Sequence, residues 1–117
     1  MEPLNVLVIE DDTDVLDLLH GHLTRLGCRV SRATDGETGV ALALGTVPDV
    51  VFVDVMLPGI NGHEVGRQLR GDARTAGCRI VGTSVLDAQD IAGPEFDAVL
   101  AKPFRRADIQ TALVGTR

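Results

Sequence analysis

The stretch Val6–Asp12, "VLVIEDD", decides the fold, because four apolar residues are followed directly by three carboxylates. Such an apolar run is typical of a strand buried on both faces, and Glu10, Asp11 and Asp12 come where that strand would end. Two carboxylates about 4 Å apart repel each other by roughly 4 kcal/mol at an effective dielectric near 20. A site built on this stretch therefore needs a compensating cation.

Short apolar runs of the same kind recur along the chain and predict five strands. Segments with helical spacing separate them, and strict alternation of strand and helix indicates a parallel sheet covered on both faces. We therefore expect a doubly wound α/β fold, in which ligands bind outside the carboxyl ends of the strands. The predicted strands are Leu4–Ile9, Cys28–Ala33, Asp49–Asp54, Cys78–Ser84 and Asp97–Ala101.

The first helix has the clearest apolar face, and Gly27 should end it. Its face is predicted to comprise Val15, Leu18, Leu19, Leu23 and Leu26. Further helices are expected from about Gly36 to Leu44, from about Gly62 to Leu69 and from about Arg105 to Leu113. A fourth helix, between the fourth and fifth strands, should be short or irregular, because that segment has few periodic apolar residues and contains Gly93-Pro94.

The composition excludes several classes of function. A chain of 117 residues suits a single domain that buries a core without disulfides or structural metal. The net charge of -6, the lack of a basic run and the presence of only 3 aromatic residues argue against nucleic-acid binding. No membrane-length segment or signal peptide is evident, so we expect a cytoplasmic protein that does not bind membranes. Cys28 and Cys78 are predicted to be buried free thiols.

Polar side chains follow the predicted strands at their carboxyl ends, which meet at one edge of a parallel sheet. Besides the acids of the first strand, they are Asp54, Thr83, Ser84 and Lys102. Oxygen ligands without a thiolate or imidazole favour Mg²⁺, with Mn²⁺ as a substitute, so Glu10, Asp11 and Asp54 predict such an ion. Lys102 is the only lysine among 11 basic residues, and its compact ammonium group can approach a carboxylate or a phosphoryl oxygen.

The whole chain resembles the receiver domain of two-component response regulators through four motifs. "VLVIEDD" is similar to the acidic pocket segment, "VFVDVMLPGINGHEV" to the phosphoacceptor strand and loop, "VGTS" to the switch hydroxyl segment and "AKPF" to the lysine followed by a cis-proline. The resemblance implies a single (βα)5 flavodoxin-like domain over residues 1–117, with strand order 2-1-3-4-5 and no effector domain. It also implies a signalling module whose only chemistry is on itself, and not an enzyme. The chain would be a single-domain regulator or a piece of a longer protein.

The same resemblance assigns a role to each polar residue at the strand ends. Asp54 would take a phosphoryl group from a phosphohistidine of a sensor histidine kinase or a histidine phosphotransfer protein. The ligands of the Mg²⁺ ion would be Glu10, Asp11, Asp54 and the backbone carbonyl of Met56. Thr83 would donate its hydroxyl to one phosphoryl oxygen and Lys102 would neutralise another. The phosphorylated domain would then change conformation and control a downstream protein.

Residues close to this predicted site are expected to have structural roles. Asp12 is expected to cap the first helix instead of binding the metal. Pro58 and Gly62 should support the loop at the rim of the pocket. His63 is expected to be an ordinary helix residue, because it lacks the flanking pattern of a phosphoaccepting histidine.

Three features depart from the family pattern. Val99 stands three residues before Lys102, where many receivers have an aromatic ring that moves with the switch hydroxyl. The separation of Thr83 from Lys102 is shorter than is common in the family, so a standard partner surface is not expected at the fourth helix. Met56 and Val85 are apolar, which leaves no side chain to orient an attacking water and predicts slow self-dephosphorylation.

Three other functions remain open from the sequence alone. A Mg²⁺-dependent phosphatase of the haloacid dehalogenase type would use Asp12 and Asp14 as its acid pair, but it leaves Asp54 without a role. A flavin or nucleotide module would place phosphate at the first loop, where three carboxylates would repel it. A receiver that works without phosphorylation would be held in one state by its unusual segment between the fourth and fifth strands.

Overall fold

The computed structural model describes residues 3–85 and 92–114, which form a five-stranded parallel sheet with helices on both faces. The strand order is β2-β1-β3-β4-β5, which confirms the prediction. The strands are β1 (Asn5–Ile9), β2 (Arg29–Ala33), β3 (Val50–Asp54), β4 (Arg79–Ser84) and β5 (Ala98–Ala101). The helices are α1 (Thr13–Arg25), α2 (Gly36–Thr46), α3 (Gly62–Arg70) and α4 (Arg106–Val114), where α4 is the predicted last helix. Among the described residues, no helix is long and apolar enough to span a membrane.

The predicted short helix between β4 and β5 falls mainly on residues 86–91, which lie outside the described residues. Residues 92–97, which the structure does describe, contain no helix, and Pro94 and Glu95 form a turn. This part of the connection is therefore irregular, as its Gly-Pro pair predicts.

The two central strands, β1 and β3, are buried on both sides of the sheet. Their successive side chains enter two separate apolar clusters, because side chains alternate between the faces of a strand. Val8 and Phe52 belong to the cluster covered by α1 and α4. Ile9 and Val53 belong to the cluster covered by α2 and α3. Burial on both sides confines the polar side chains of these strands to their ends.

The buried face of α1 differs from the predicted one. Leu16, Leu19 and Leu23 are buried, whereas Leu18 is 45% exposed. Leu18 follows Leu16 by two residues, about 200° around the helix, so the two side chains face opposite directions. The prediction of Leu18 as a core residue was therefore wrong. Gly27 follows the end of the helix with a φ of 89°, a left-handed conformation that suits glycine.

The two cysteines are free thiols with different exposure. Cys78 is buried, as predicted, while Cys28 is only half-buried. Cys28 directly precedes β2, an edge strand with mostly exposed side chains. The prediction of a buried thiol was therefore wrong for Cys28, because one side of this edge is open to solvent.

Candidate functional site

The carboxyl ends of β1 and β3 bring three acidic side chains together. Glu10 and Asp54 are buried, with 1% and 5% of their surfaces exposed, whereas Asp11 is exposed. One carboxylate oxygen from each of the three residues lies within 4.8 Å of the others. The pocket therefore has two buried acids and one that faces solvent, all supplied by strand ends.

Lys102, which directly follows β5, completes this group. Its Nζ atom lies 2.7 Å from Oε1 of Glu10 and 3.3 Å from Oδ2 of Asp54. Its backbone N–H donates to the carbonyl oxygen of Ser84 at 2.8 Å, which holds it beside the end of β4. The Lys102-Pro103 peptide bond is cis, as the motif predicts. The ammonium group is thus positioned between the two buried carboxylates.

The charges of the pocket alter the pKa values of its groups. Burial raises the pKa of Glu10 to about 7; Asp54 adds to this effect, while Lys102 opposes it. Burial works to lower the pKa of Lys102, but the carboxylates of Glu10 and Asp54 outweigh it and raise this pKa. One ammonium group therefore does not fully compensate the buried acids.

The donor atoms in this pocket fit a hard divalent cation. They are carboxylate oxygens, and their mutual spacing allows one ion to contact all three acids. A second positive group would also favour the ionised form of Glu10, whose pKa is high without it. The acidic cluster can therefore bind a metal ion of the Mg²⁺ type.

Thr83 lies beside Asp54 on the neighbouring strand. The two residues are paired in the register of β3 with β4, and Thr83 is only 1% exposed. The N–H of Val55 donates to the carbonyl oxygen of Thr83 at 2.9 Å, so the pairing continues past the end of β3. A hydroxyl group thus stands at the end of β4 next to the phosphoacceptor candidate.

The loop between β3 and α3 is packed tightly against the backbone of Asp54. Gly62 donates its N–H to the carbonyl oxygen of Val55 at 3.0 Å. A Cβ atom added at Gly62 would lie 2.5 Å from the carbonyl oxygen of Asp54, so only glycine fits there. Met56 donates its N–H to Oδ1 of Asp54 at 3.1 Å, which orients this carboxylate. Pro58 is exposed at the rim.

Two apolar side chains stand exposed near the pocket. Met56, two residues after Asp54, is 63% exposed, and Val85, two residues after Thr83, is 75% exposed. Neither side chain has a polar atom that could hold a water molecule by a strong hydrogen bond. The solvent side of the pocket therefore offers no side-chain base at these two positions.

The acids after Glu10 and Asp11 belong to the first helix. Asp12 is its N-cap, and Oδ1 of Asp12 accepts hydrogen bonds from the N–H groups of Asp14 at 3.0 Å and Val15 at 3.4 Å. The predicted capping role is confirmed. Asp12 is used in the cap and Asp14 is exposed in the first turn, and neither belongs to the acidic cluster of Glu10, Asp11 and Asp54, which does not favour the phosphatase alternative.

A second polar cluster, centred on His63, is not predictable from the sequence pattern. Nδ1 of His63 is hydrogen-bonded to Oε1 of Glu95, whose side chain is 6% exposed, and the ring packs on Phe96. His63 thus lies in α3, and its side chain also contacts residues outside the helix. The partners are 32 residues apart in sequence, and no local pattern links them.

The comparisons with known proteins agree with this arrangement. The chain matches the response regulator receiver domain over residues 6–114. It is similar to the DNA-binding dual master transcriptional regulator RpaA of Synechocystis sp., with 34% identity over 116 residues, which cover 96% of this chain and 47% of RpaA. It is also similar to the protein PilH of Pseudomonas aeruginosa, with 34% identity over 84 residues, which cover 72% of this chain and 69% of PilH.

A solved structure with the same fold is the receiver domain of the sensor histidine kinase PA1611 from Pseudomonas aeruginosa, which has a magnesium ion coordinated in its active site cleft. The TM-score is 0.84 at 26% identity, covering 96% of this chain and 95% of that one. This chain spans less than half the length of RpaA. The match over residues 6–114, together with the sheet order and the grouping of acids and lysine at the strand ends, shows that the chain belongs to the response regulator receiver domain family.

Proposed function

We propose that this domain is phosphorylated on Asp54 by a phosphohistidine and that the modification controls a partner protein. The observation that carries the proposal is the position of the Asp54 carboxylate. It is buried at the end of β3, lies 3.3 Å from the ammonium group of Lys102 and forms one cluster with Glu10 and Asp11. A carboxylate fixed in this way is a suitable nucleophile for a phosphoryl group.

The transfer can be written with its bonds balanced. An oxygen of Asp54 attacks phosphorus in line, the P–N bond to the imidazole breaks, and the imidazole leaves with its electron pair and takes up a proton. The product is an acyl phosphate on Asp54. The hydrogen bond from the N–H of Met56 to Oδ1 at 3.1 Å supports the other carboxylate oxygen, Oδ2, as the attacking atom.

Two side chains would stabilise the phosphoryl group. Lys102 would leave its contact with Oδ2 of Asp54 and neutralise a phosphoryl oxygen, and Thr83 would donate its hydroxyl to another. Both groups lie at strand ends beside Asp54, where they would stabilise charge that develops on the phosphoryl oxygens. The roles of these two residues are proposed from their placement beside Asp54.

Glu10, Asp11, Asp54 and the backbone carbonyl of Met56 are proposed to hold Mg²⁺, with Glu10 acting through a water molecule. When bound, this ion would supply the positive charge that the carboxylates and the phosphoryl oxygens need in order to approach each other. Mn²⁺ is the expected substitute, because it also accepts oxygen ligands.

Receiver domains are signalling modules, and the partner in the first step is proposed to be a sensor histidine kinase or a histidine phosphotransfer protein. The downstream partner is proposed to be a protein. We further propose that the acyl phosphate is long-lived, because Met56 and Val85 offer no polar atom to orient water.

Intact mass spectrometry after incubation with acetyl phosphate and Mg²⁺ tests the proposal. We expect one phosphoryl adduct on the wild type, none on Asp54→Asn, and loss of the adduct on adding hydroxylamine, which cleaves acyl phosphates. Asp108→Asn is a matched control, because it alters an exposed acid in α4. An equal adduct on Asp54→Asn would refute Asp54 as the acceptor, and no adduct on the wild type would refute the proposed function.

A further inference from the structure

The strand β2 forms one edge of the sheet, and its outer backbone groups are open. In the parallel register with β1, Arg29 donates its N–H to the carbonyl oxygen of Leu4 at 2.8 Å and therefore faces β1. Because the backbone groups of successive strand residues point to opposite sides, those of Val30 and Arg32 point away from the sheet. No hydrogen bond from the described residues reaches these outward N–H and C=O groups. The outer side of β2 can therefore bond to another chain.

The side chains of β2 are accessible as well. Arg29, Ser31 and Arg32 are exposed and Val30 is half-buried, so only Ala33, at the end of the strand, is enclosed. We call the outward backbone groups and the side chains of residues 29–32 the β2 edge. An edge strand of this kind is a template on which an extended segment can form further strand hydrogen bonds.

The β2 edge lies in a basic part of an acidic protein. The whole chain has a formal charge of -6, yet residues 18–34 contain three arginines and no aspartate or glutamate. Arg32 pairs with Asp17 of α1 at 2.7 Å, and both side chains are exposed. Arg25 and Arg29 form no ion pair within the part of the chain that the structure describes. Two exposed guanidinium groups are thus available to a partner beside the open edge.

The charge of the β2 edge distinguishes between two kinds of occupant. A second copy of this chain would place arginines on both strands of the new pair, and like charges across paired strands are destabilising. A segment with Asp or Glu side chains would instead place carboxylates beside Arg29 while its backbone bonds to Val30 and Arg32. Charge complementarity therefore favours an acidic partner over a second copy.

We propose that the β2 edge binds an extended acidic segment of a partner protein, which adds a strand to the sheet. The backbone groups of Val30 and Arg32 hold the segment, and Arg29 selects its carboxylates. The β2 edge lies at the opposite side of the sheet from β5. The inference therefore goes beyond the phosphorylation of Asp54 and does not depend on it.

Fluorescence anisotropy of a labelled peptide measures this binding. The probe is a peptide of about ten residues in which Thr and Glu alternate, because Thr favours extended structure and Glu supplies carboxylates. At low ionic strength it should bind the wild type at least about tenfold more tightly than a Thr-Lys peptide of the same length. A DNA duplex is the control for unspecific binding of negative charge and should not displace the peptide.

Amide hydrogen exchange tests strand pairing separately from charge. The N–H groups of Val30 and Arg32 have no partner among the described residues, and binding of the Thr-Glu peptide should slow their exchange by at least about tenfold. The N–H of Ser31 points to β1 and serves as the internal reference. The same peptide with N-methylated amides keeps its carboxylates but cannot donate backbone hydrogen bonds, so it should bind at least about tenfold more weakly.

Three variants test the position of the site. Arg29→Glu reverses a charge on the β2 edge and should weaken binding of the Thr-Glu peptide by at least about tenfold. Arg106→Glu is the matched control, because it changes the net charge equally at the exposed start of α4 and should bind as the wild type does. Val30→Pro removes an outward N–H that is not bonded to β1, and it should also lose binding. If Val30→Pro does not unfold cooperatively, the N-methylated peptide decides the same point on the wild type.

Each outcome decides a separate statement. A Thr-Glu peptide that does not bind the wild type overturns the inference and leaves the proposed function standing. Equal binding of the N-methylated peptide, or unprotected amides of Val30 and Arg32 in the complex, overturns strand pairing. Equal binding of the Thr-Lys peptide, or displacement by DNA, overturns an acidic protein segment as the partner. Undiminished binding to Arg29→Glu overturns the position of the site, whereas a wild type that binds the peptide but forms no phosphoryl adduct refutes the proposed function alone.

Discussion

The ammonium nitrogen of Lys102 lies 2.7 Å from Oε1 of Glu10, a side chain that is only 1% exposed. Lys102 follows β5 and Glu10 follows β1, and these two strands are not neighbours in the sheet. Their contact therefore spans the pocket above Asp54 and makes Lys102 the main compensating charge when no metal ion is bound. Loss of this contact would leave the buried carboxylates without a cationic partner unless a metal ion took its place.

Lys102→Met should destabilise the metal-free protein, because Glu10 and Asp54 would lose their common partner. We expect a loss of roughly 2 kcal/mol in the free energy of unfolding, less than for a fully buried pair because Glu10 can take up a proton. Urea unfolding with and without saturating Mg²⁺ measures it, and Mg²⁺ should recover most of the loss. Arg74→Met, which breaks an exposed pair with Asp72, should change stability little. Equal losses in the two variants would contradict this prediction.

The stability of the metal-free protein should fall as pH rises from about 4.5 to about 7. Glu10 has a pKa of about 7 in the folded state against an ordinary value of 4.5, so the folded protein binds this proton more tightly than the unfolded chain. The full difference amounts to at most about 3 kcal/mol. Urea unfolding at several pH values should give a flatter profile for Glu10→Gln than for the wild type. Parallel profiles would show that Glu10 is not the responsible group.

Polar side chains at the rim should shorten the lifetime of the acyl phosphate. Met56→Asn and Val85→Gln together would supply groups that orient an attacking water, and we expect hydrolysis to be faster by up to about 100-fold. The decay of the adduct mass after removal of acetyl phosphate measures this rate. Val47→Gln changes another exposed apolar residue, after α2, and should leave the rate unaltered. A wild-type adduct that decays as fast as that of the double variant would contradict slow self-dephosphorylation.

Gly62→Ala should impair both stability and phosphorylation, because the added methyl group would overlap the carbonyl oxygen of Asp54. We expect a destabilisation of roughly 1–3 kcal/mol and a slower appearance of the phosphoryl adduct. Gly45→Ala is the matched control, since a Cβ atom there meets nothing within 4 Å and lies in helix α2. It should stabilise the protein by about 0.5–1 kcal/mol. The opposite order of stabilities would refute the steric argument.

The strands and the candidate site were predictable because their signals are local. An apolar run followed by acids marks the end of a buried strand, and parallel strands place such ends at one edge. Glu10, Asp54 and Lys102 therefore meet where the sequence predicts, although they come from distant parts of the chain.

The contacts of α3 with residues 95–97 were not predictable in this way. His63 with Glu95 and Arg70 with Asp97 are 32 and 27 residues apart, and neither pair belongs to a periodic pattern. These contacts depend on the path of the irregular connection between β4 and β5, which secondary-structure propensities do not predict. The exposed Leu18 was mistaken for a core residue for a simpler reason, since a leucine-rich helix offers more than one apolar face and tertiary packing selects between them.

Because the central strands are buried on both faces, the stability effects of two substitutions depend on whether the side chains lie on the same face of the sheet. Val8 and Ile9 are adjacent in the chain but belong to different apolar clusters, whereas Val8 and Phe52 are paired across strands within one cluster. Truncations at Val8 and Ile9 should thus have additive effects on stability, while truncations at Val8 and Phe52 should not. The sheet separates two interiors, so we expect a change of packing residues in the helices on one side to need no matching change on the other.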